Sequence, residues 1–76
     1  MEERVKKIMS QVFGIEISEI NERSSKDNIE NWDSMNQMNL VTALEEEFQI
    51  IFKDEQILEM LNFKLICALL KECGVK

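Results

Sequence analysis

Ser34 is the residue with the clearest chemical option in this chain, because it presents a hydroxyl where a helix should begin. Reading on from it, Met38, Val41, Leu44 and Phe48 recur at steps of three or four, the spacing of one apolar stripe on a helix ending near Phe48. Asp33 and Ser34 are both N-cap types, since a short side-chain oxygen there accepts a bond from an unpaired N–H of the first turn. On residue type and spacing alone, capping is a sufficient account of the pair. The chain contains no histidine, so no imidazole is present to turn the Ser34 hydroxyl into a nucleophile. The chain thus offers no imidazole base of its own for chemistry at Ser34.

The other reactive side chains offer less. Cys67 and Cys73 stand six apart on one helix-period run, about 9 Å along its axis, which is too far for a disulfide. They also lack the close Cys/His spacing of a zinc site, so they are read as reduced thiols, with Cys67 as a small, partly buried residue. Asp27, Glu30 and Asp33 fall at three-residue spacing without the regular oxygen ligands, glycine and closing glutamate of a calcium loop. No metal site is expected. With no nucleophile–base pair and no ligand cluster, the chain does not read as an enzyme.

Asp33-Ser34-Met35, followed by Asn39-Leu40-Val41-Thr42-Ala43-Leu44-Glu45-Glu46-Glu47-Phe48, resembles the Asp-Ser-Leu motif and second helix of acyl carrier proteins. Glu2-Glu3-Arg4-Val5-Lys6-Lys7-Ile8 is similar to that family's first helix, Gly14 falls where that helix ends, and Asp54-Glu55 falls where its short third helix begins. The resemblance covers nearly the whole chain in the right order. It implies that Ser34 carries a 4′-phosphopantetheine arm, taken from coenzyme A, whose thiol holds acyl cargo as a thioester. A phosphodiester at that position is compatible with a helix start, where free N–H groups and the helix dipole favour an anion by roughly 0.3–1 kcal/mol. The expected partners are a phosphopantetheinyl transferase and acyl-loading and acyl-processing enzymes with basic docking patches. Asn31-Trp32-Asp33-Ser34 departs from the Gly-Ala-Asp-Ser of many fatty-acid carriers. It looks closer to stand-alone carriers of specialised pathways, such as those of polyketides, nonribosomal peptides, aminoacyl groups and surface polysaccharides.

Composition sets limits that agree with a carrier. Seventy-six residues with two glycines, no proline and 45% hydrophobic content make one small helical domain over residues 1–76, too small to enclose an elaborate active site. The net charge of −6 argues against nucleic acid and anionic membrane surfaces, and its complement is a basic patch on a protein. No basic-apolar leader and no apolar run of spanning length is present, so a monomeric, cytoplasmic protein without membrane insertion is expected.

The elements that must position Ser34 follow from periodicity. Glu2 to Phe13 should form the first helix, with Val5, Ile8, Met9 and Val12 inward, Glu2/Lys6 and Glu3/Lys7 paired outside, and Gly14 closing it. Ile15 to Trp32 loses periodicity and reads as a long connection anchored by Ile15, Ile17, Ile20, Ile29 and Trp32. Trp32 either buries its ring at the foot of the second helix or flanks the arm, and burial is the favoured reading. On the second helix Asn36, Asn39, Ala43, Glu46 and Glu47 should face away from the core. Met35 lies off the stripe and is open to two readings: an apolar contact for a partner, or local packing on the preceding loop.

Carriers of this family present acidic side chains along that outer face to basic grooves. Asp33, Glu45 and Glu46 match such positions, whereas Asn36 and Asn39 replace acids by neutral amides, a change that points to a dedicated set of partners. The run Ile50-Ile51-Phe52 should end the second helix and pin the next loop. Asp54 should cap a short third helix with Ile57, Met60 and Leu61 inward. Asn62 should cap a fourth in which Ile66, Leu69, Leu70 and Cys73 repeat, stopped at Gly74. The fold class is all-α: a four-helix bundle of the acyl-carrier type with a short third helix and a long first loop. The competing function is a small acidic helical adaptor, never modified, that binds a basic partner through its second helix.

Overall fold

A computed structural model describes residues 1–75. Among them lie four α-helices and no strand: α1 (Glu2–Phe13), α2 (Ser34–Phe48), α3 (Asp54–Leu58) and α4 (Phe63–Glu72), with one 3₁₀ turn at Ile17–Glu19. α1 buries Val5, Ile8, Met9 and Phe13, while Val12 sits half-buried at the edge of the core. A bulky ring one residue further round the helix displaces Val12 from the centre, because Phe13 stacks on Trp32 with ring centroids 4.9 Å apart. Gly14 closes the helix at φ 67°, its N–H donating to the Ser10 carbonyl at 2.9 Å. Neither expected pair on α1 closes. The ion pair among the described residues is instead Arg4–Glu47, which ties α1 to the end of α2 at 2.7 Å.

The first connection is ordered by the start of α4. Ser25 and Asn62 form an isolated antiparallel bridge, Lys26 N–H donates to the Leu61 carbonyl at 3.1 Å, and Phe63 N–H donates to the Ser24 carbonyl at 2.9 Å. Ser24 is buried with its hydroxyl accepting from the Asn21 N–H, so its polar group is satisfied. Of the five expected anchors, Ile20, Ile29 and Trp32 are buried and Ile15 is half-buried. Ile17 is an exception: it lies exposed at the head of the 3₁₀ turn, whose short repeat leaves no face long enough to bury.

α2 has the expected bounds but not the expected phase. Leu40, Val41 and Leu44 are buried and Phe48 is half-buried, whereas Met38 is 52% exposed. Gln37 occupies the inward place on that flank, with its amide bonded on both sides, and this turns Met38 outward. Ala43, expected outside, is partly buried against the core.

Gln49 takes a left-handed conformation at φ 53° and ends α2 before the Ile50–Phe52 run is reached. Only Phe52 of that run is buried, and Ile51 is 87% exposed. α3 is capped by Lys53 and not by Asp54, which is its first residue. It ends at Leu58, so helical phase does not carry on to the next residues. Met60 is buried beyond the helix, Ile57 is half-buried, and Leu61 is exposed. α4 follows its expectation: Asn62 Oδ1 accepts from Leu65 N–H at 2.8 Å, Ile66, Leu69 and Leu70 are buried, and Cys73 is half-buried just before Gly74.

Candidate functional site

The N-terminus of α2 holds the candidate residue, Ser34. Asp33, in extended conformation, turns its carboxylate back to accept from Asn36 N–H at 2.8 Å, and its carbonyl accepts from Gln37 N–H at 2.8 Å. Asp33 is therefore the cap, and Ser34 is released from that duty. The Ser34 side chain is exposed, and its Oγ has no hydrogen-bond partner among the described residues. The N–H groups of Ser34 and Met35 also have no partner there, as expected for the first turn of a helix with one side-chain cap. An exposed hydroxyl beside two free amide donors is an arrangement that favours an attached anion.

Three elements fix where that hydroxyl stands. Asn31 Nδ2 donates to the Phe13 carbonyl at 2.9 Å, tying the approach to α2 onto the end of α1. Trp32 is buried on Phe13, and its indole Nε1 donates to Gln37 Oε1. Gln37 Nε2 donates in turn to the Ile57 carbonyl of α3 at 3.2 Å. The serine is thus held by α1, by its own helix and by α3, although it touches none of these bonds. The sequence reading did not single out Gln37, whose only signal is a polar residue on the inward side of an apolar stripe.

The residues expected to meet a partner separate into two groups. Met35 is 75% exposed, and Asn39, Glu46 and Asp33 are also open to solvent. Asn36 and Glu45 are partly occupied by the fold. Asn36 Nδ2 donates to the Asn31 carbonyl at 2.8 Å and its Oδ1 accepts from Asn39 Nδ2 at 3.0 Å, while Glu45 Oε2 accepts from the Phe52 N–H at 2.9 Å. The Glu45 carboxylate consequently serves the backbone that follows α2, in addition to its charge. Met38, assigned inward by periodicity, joins Met35 on the exposed side.

A family model described as phosphopantetheine attachment site matches residues 3–70. The chain belongs to that family. Carrier domains of this kind are not enzymes; they carry a 4′-phosphopantetheine prosthetic group, and this chain is a phosphopantetheine-dependent carrier protein of the acyl-carrier type. When bound, the group supplies the thiol on which cargo is held as a thioester.

The residues present fit such a group. The α2 N-terminus offers an accessible hydroxyl, unpaired N–H donors and the positive end of a 15-residue helix dipole, with the one nearby cap, Asp33, directed back into the helix. Cys67 and Cys73 are both free thiols, and burial is the main cause that pushes the Cys67 thiol above its ordinary pKa. No helix among the described residues is long and apolar enough to cross a membrane, and no cluster of three metal-ligating side chains occurs among them.

Proposed function

We propose that Ser34 is the attachment residue, joined to 4′-phosphopantetheine as a phosphodiester by a phosphopantetheinyl transferase. The observation that carries this reading is the division of labour at the α2 N-terminus. Asp33 performs the capping, and the neighbouring serine hydroxyl stands exposed beside two free N–H groups. The chain then presents cargo thioesters to acyl-loading and acyl-processing enzymes with basic docking patches.

The contact surface we assign to those enzymes comprises Asp33, Met35, Asn39 and Glu46, with Asn36 and Glu45 at its margin. Exposed methionine supplies an adaptable apolar contact, and the carboxylates speed encounter and set orientation. Neutral Asn36 and Asn39 in place of acids support a dedicated pathway among the specialised acyl, polyketide or aminoacyl routes. Two free thiols support a reducing, cytoplasmic setting.

The test is an intact-mass spectrum after incubation with coenzyme A, Mg²⁺ and a broad-specificity phosphopantetheinyl transferase, with Ser34→Ala alongside. One added phosphopantetheine on the native chain and none on the variant is the expected result. A folded native chain that gains nothing from several transferases would sink the proposal and leave the acidic, unmodified adaptor.

A further inference from the structure

Resting on the reading of Ser34 as the attachment residue, we propose that the Trp32–Gln37–Ile57 strap closes the seam between α2 and α3 and keeps the cargo outside the bundle. The carried group is then short or polar, an acyl or aminoacyl unit of a few carbons, and not a long hydrocarbon chain. An apolar chain tethered at Ser34 lowers its free energy by entering the nearest apolar interior. Gln37 lies one helical turn beyond Ser34, and α3 is the element its amide reaches, so the seam between α2 and α3 is that nearest interior.

Polar groups seal the seam at its mouth. The Gln37 amide is bonded on its oxygen by the buried Trp32 indole and donates through its nitrogen to the Ile57 carbonyl. Admitting a hydrocarbon would separate these partners and leave an indole N–H, an amide and a carbonyl facing apolar atoms. In the core, Leu40 and Leu44 of α2 and Met60 just after α3 are fully buried, so a chain that entered between these elements would have to displace buried side chains. The first few methylenes of a short group gain too little to offset both losses. On the outer side the chain neighbours of Ser34 are the exposed Asp33 and Met35, with Met38 exposed one turn on, so a short group that remains in water has both a carboxylate and methionine side chains beside it until an enzyme takes it.

The test loads the native chain with acetyl- and octanoyl-phosphopantetheine, using the corresponding coenzyme A thioesters and a permissive transferase. Intact mass verifies loading before anything else is measured. Thermal midpoints and the ¹H–¹⁵N resonances of the Trp32 indole and the Leu40, Leu44 and Met60 amides are then compared. The expected result is coincident resonances and midpoints that agree within about 1 °C, well inside the several degrees that a real gain in stability gives a domain of this size. A rise of about 4 °C or more in the octanoyl form, with shifts at the indole and core amides, would overturn the proposal. In Gln37→Met, which keeps the volume and removes the strap, the octanoyl form should become more stable than the acetyl form. No such gain in that variant would overturn the role given to Gln37. Failure to load at all, seen by mass, would instead overturn the Ser34 reading and this inference with it.

Discussion

The indole Nε1 of Trp32 donates to Oε1 of Gln37, and this single bond joins the last buried residue of the first connection to the first turn of α2. It reconciles two requirements that conflict at this position. A large ring must be buried on Phe13 to hold the chain before Ser34, yet its N–H needs an acceptor at a part-buried position. Gln37 supplies that acceptor and spends its own N–H on Ile57, so the amide is satisfied on both sides.

Gln37→Ala should therefore cost more than an ordinary side-chain truncation. It leaves a part-buried N–H without its protein partner, a loss of about 1 kcal/mol or more, and should lower the thermal midpoint by several degrees. Tryptophan emission should shift as the indole loses its bond. A change below about 0.5 kcal/mol in urea unfolding would show that the bond contributes nothing to stability.

The contrast between Met38 and Leu40 shows what the sequence makes legible and what it does not. Existence and order of the helices, and the bounds of α1, α2 and α4, follow from local signals: Gly14, Asp33 and Asn62 act at the ends that their chemistry specifies, whereas α3 begins after Lys53 and stops at Leu58, short of Met60 and Leu61. The phase of α2 does not follow, because its apolar residues from Leu40 round to Met38 spread over about 160° of the circumference, wider than the face its neighbours cover. Only the packing of α3 and α1 decides which flank is left out. Ile17, Ile51 and Leu61 were expected to anchor or face inward and are exposed for a related reason: each lies where the chain is too irregular for periodicity to place a side chain. Ser34 could be singled out from its neighbours in sequence. The supports at Asn31, Gln37 and Glu45 could not, since their partners stand 18, 20 and 7 residues away.

Asp33 is tested by its cap. Asp33→Ala removes the acceptor for Asn36 N–H and should destabilise the protein by about 0.5–2 kcal/mol, with Asp33→Asn recovering most of the loss. Chemical denaturation of the three proteins measures both effects. Equal losses in the alanine and asparagine variants would indicate that the carboxylate charge matters and the cap bond does not.

Gln49 occupies the left-handed region, φ 53° and ψ 53°, where a β-carbon crowds the following carbonyl at a cost of about 1–2 kcal/mol. Glycine there removes the strain and gives back part of the gain through the greater entropy of the unfolded chain, about 0.5–1 kcal/mol. Gln49→Gly should consequently raise the thermal midpoint by a few degrees while leaving the N–H of residue 49 on the Glu45 carbonyl. A lower midpoint would mean that the Gln49 side chain contributes more than its backbone costs.

Arg4 makes three contacts at the α1–α2 edge. Its Nε and Nη2 reach the Glu47 carboxylate, Nη2 also donates to the Glu47 carbonyl at 3.1 Å, and the guanidinium lies 4.5 Å from the centre of the Phe48 ring. Both partners of the ion pair are about half exposed, so the charge pair itself should contribute only about 0.2–1 kcal/mol. Arg4→Ala should cost more than Glu47→Ala, because it also uncovers Phe48. Added salt should reduce only the smaller, shared part. Thermal unfolding of both variants at low and high NaCl separates the contributions.

Cys67 gives a dependence on pH whose sign is set by burial. Burial first, and then the Glu2 carboxylate, raise its pKa, while Lys71, the N-terminal amine and Lys6 oppose them. The folded protein thus holds the thiol proton at pH values where the unfolded chain has released it. Stability associated with this group is fully present below the ordinary thiol pKa and is lost as pH rises from there through the raised folded value. Unfolding free energy should decline over that alkaline interval in the native chain and decline less in Cys67→Ala, compared as slopes so that the cavity left by the substitution cancels. The same burial predicts that native-state alkylation reaches the half-buried Cys73 before Cys67, readable by peptide mass after a short exposure to iodoacetamide at neutral pH. Faster labelling of Cys67 would mean that α4 opens at that position more readily than its packing implies.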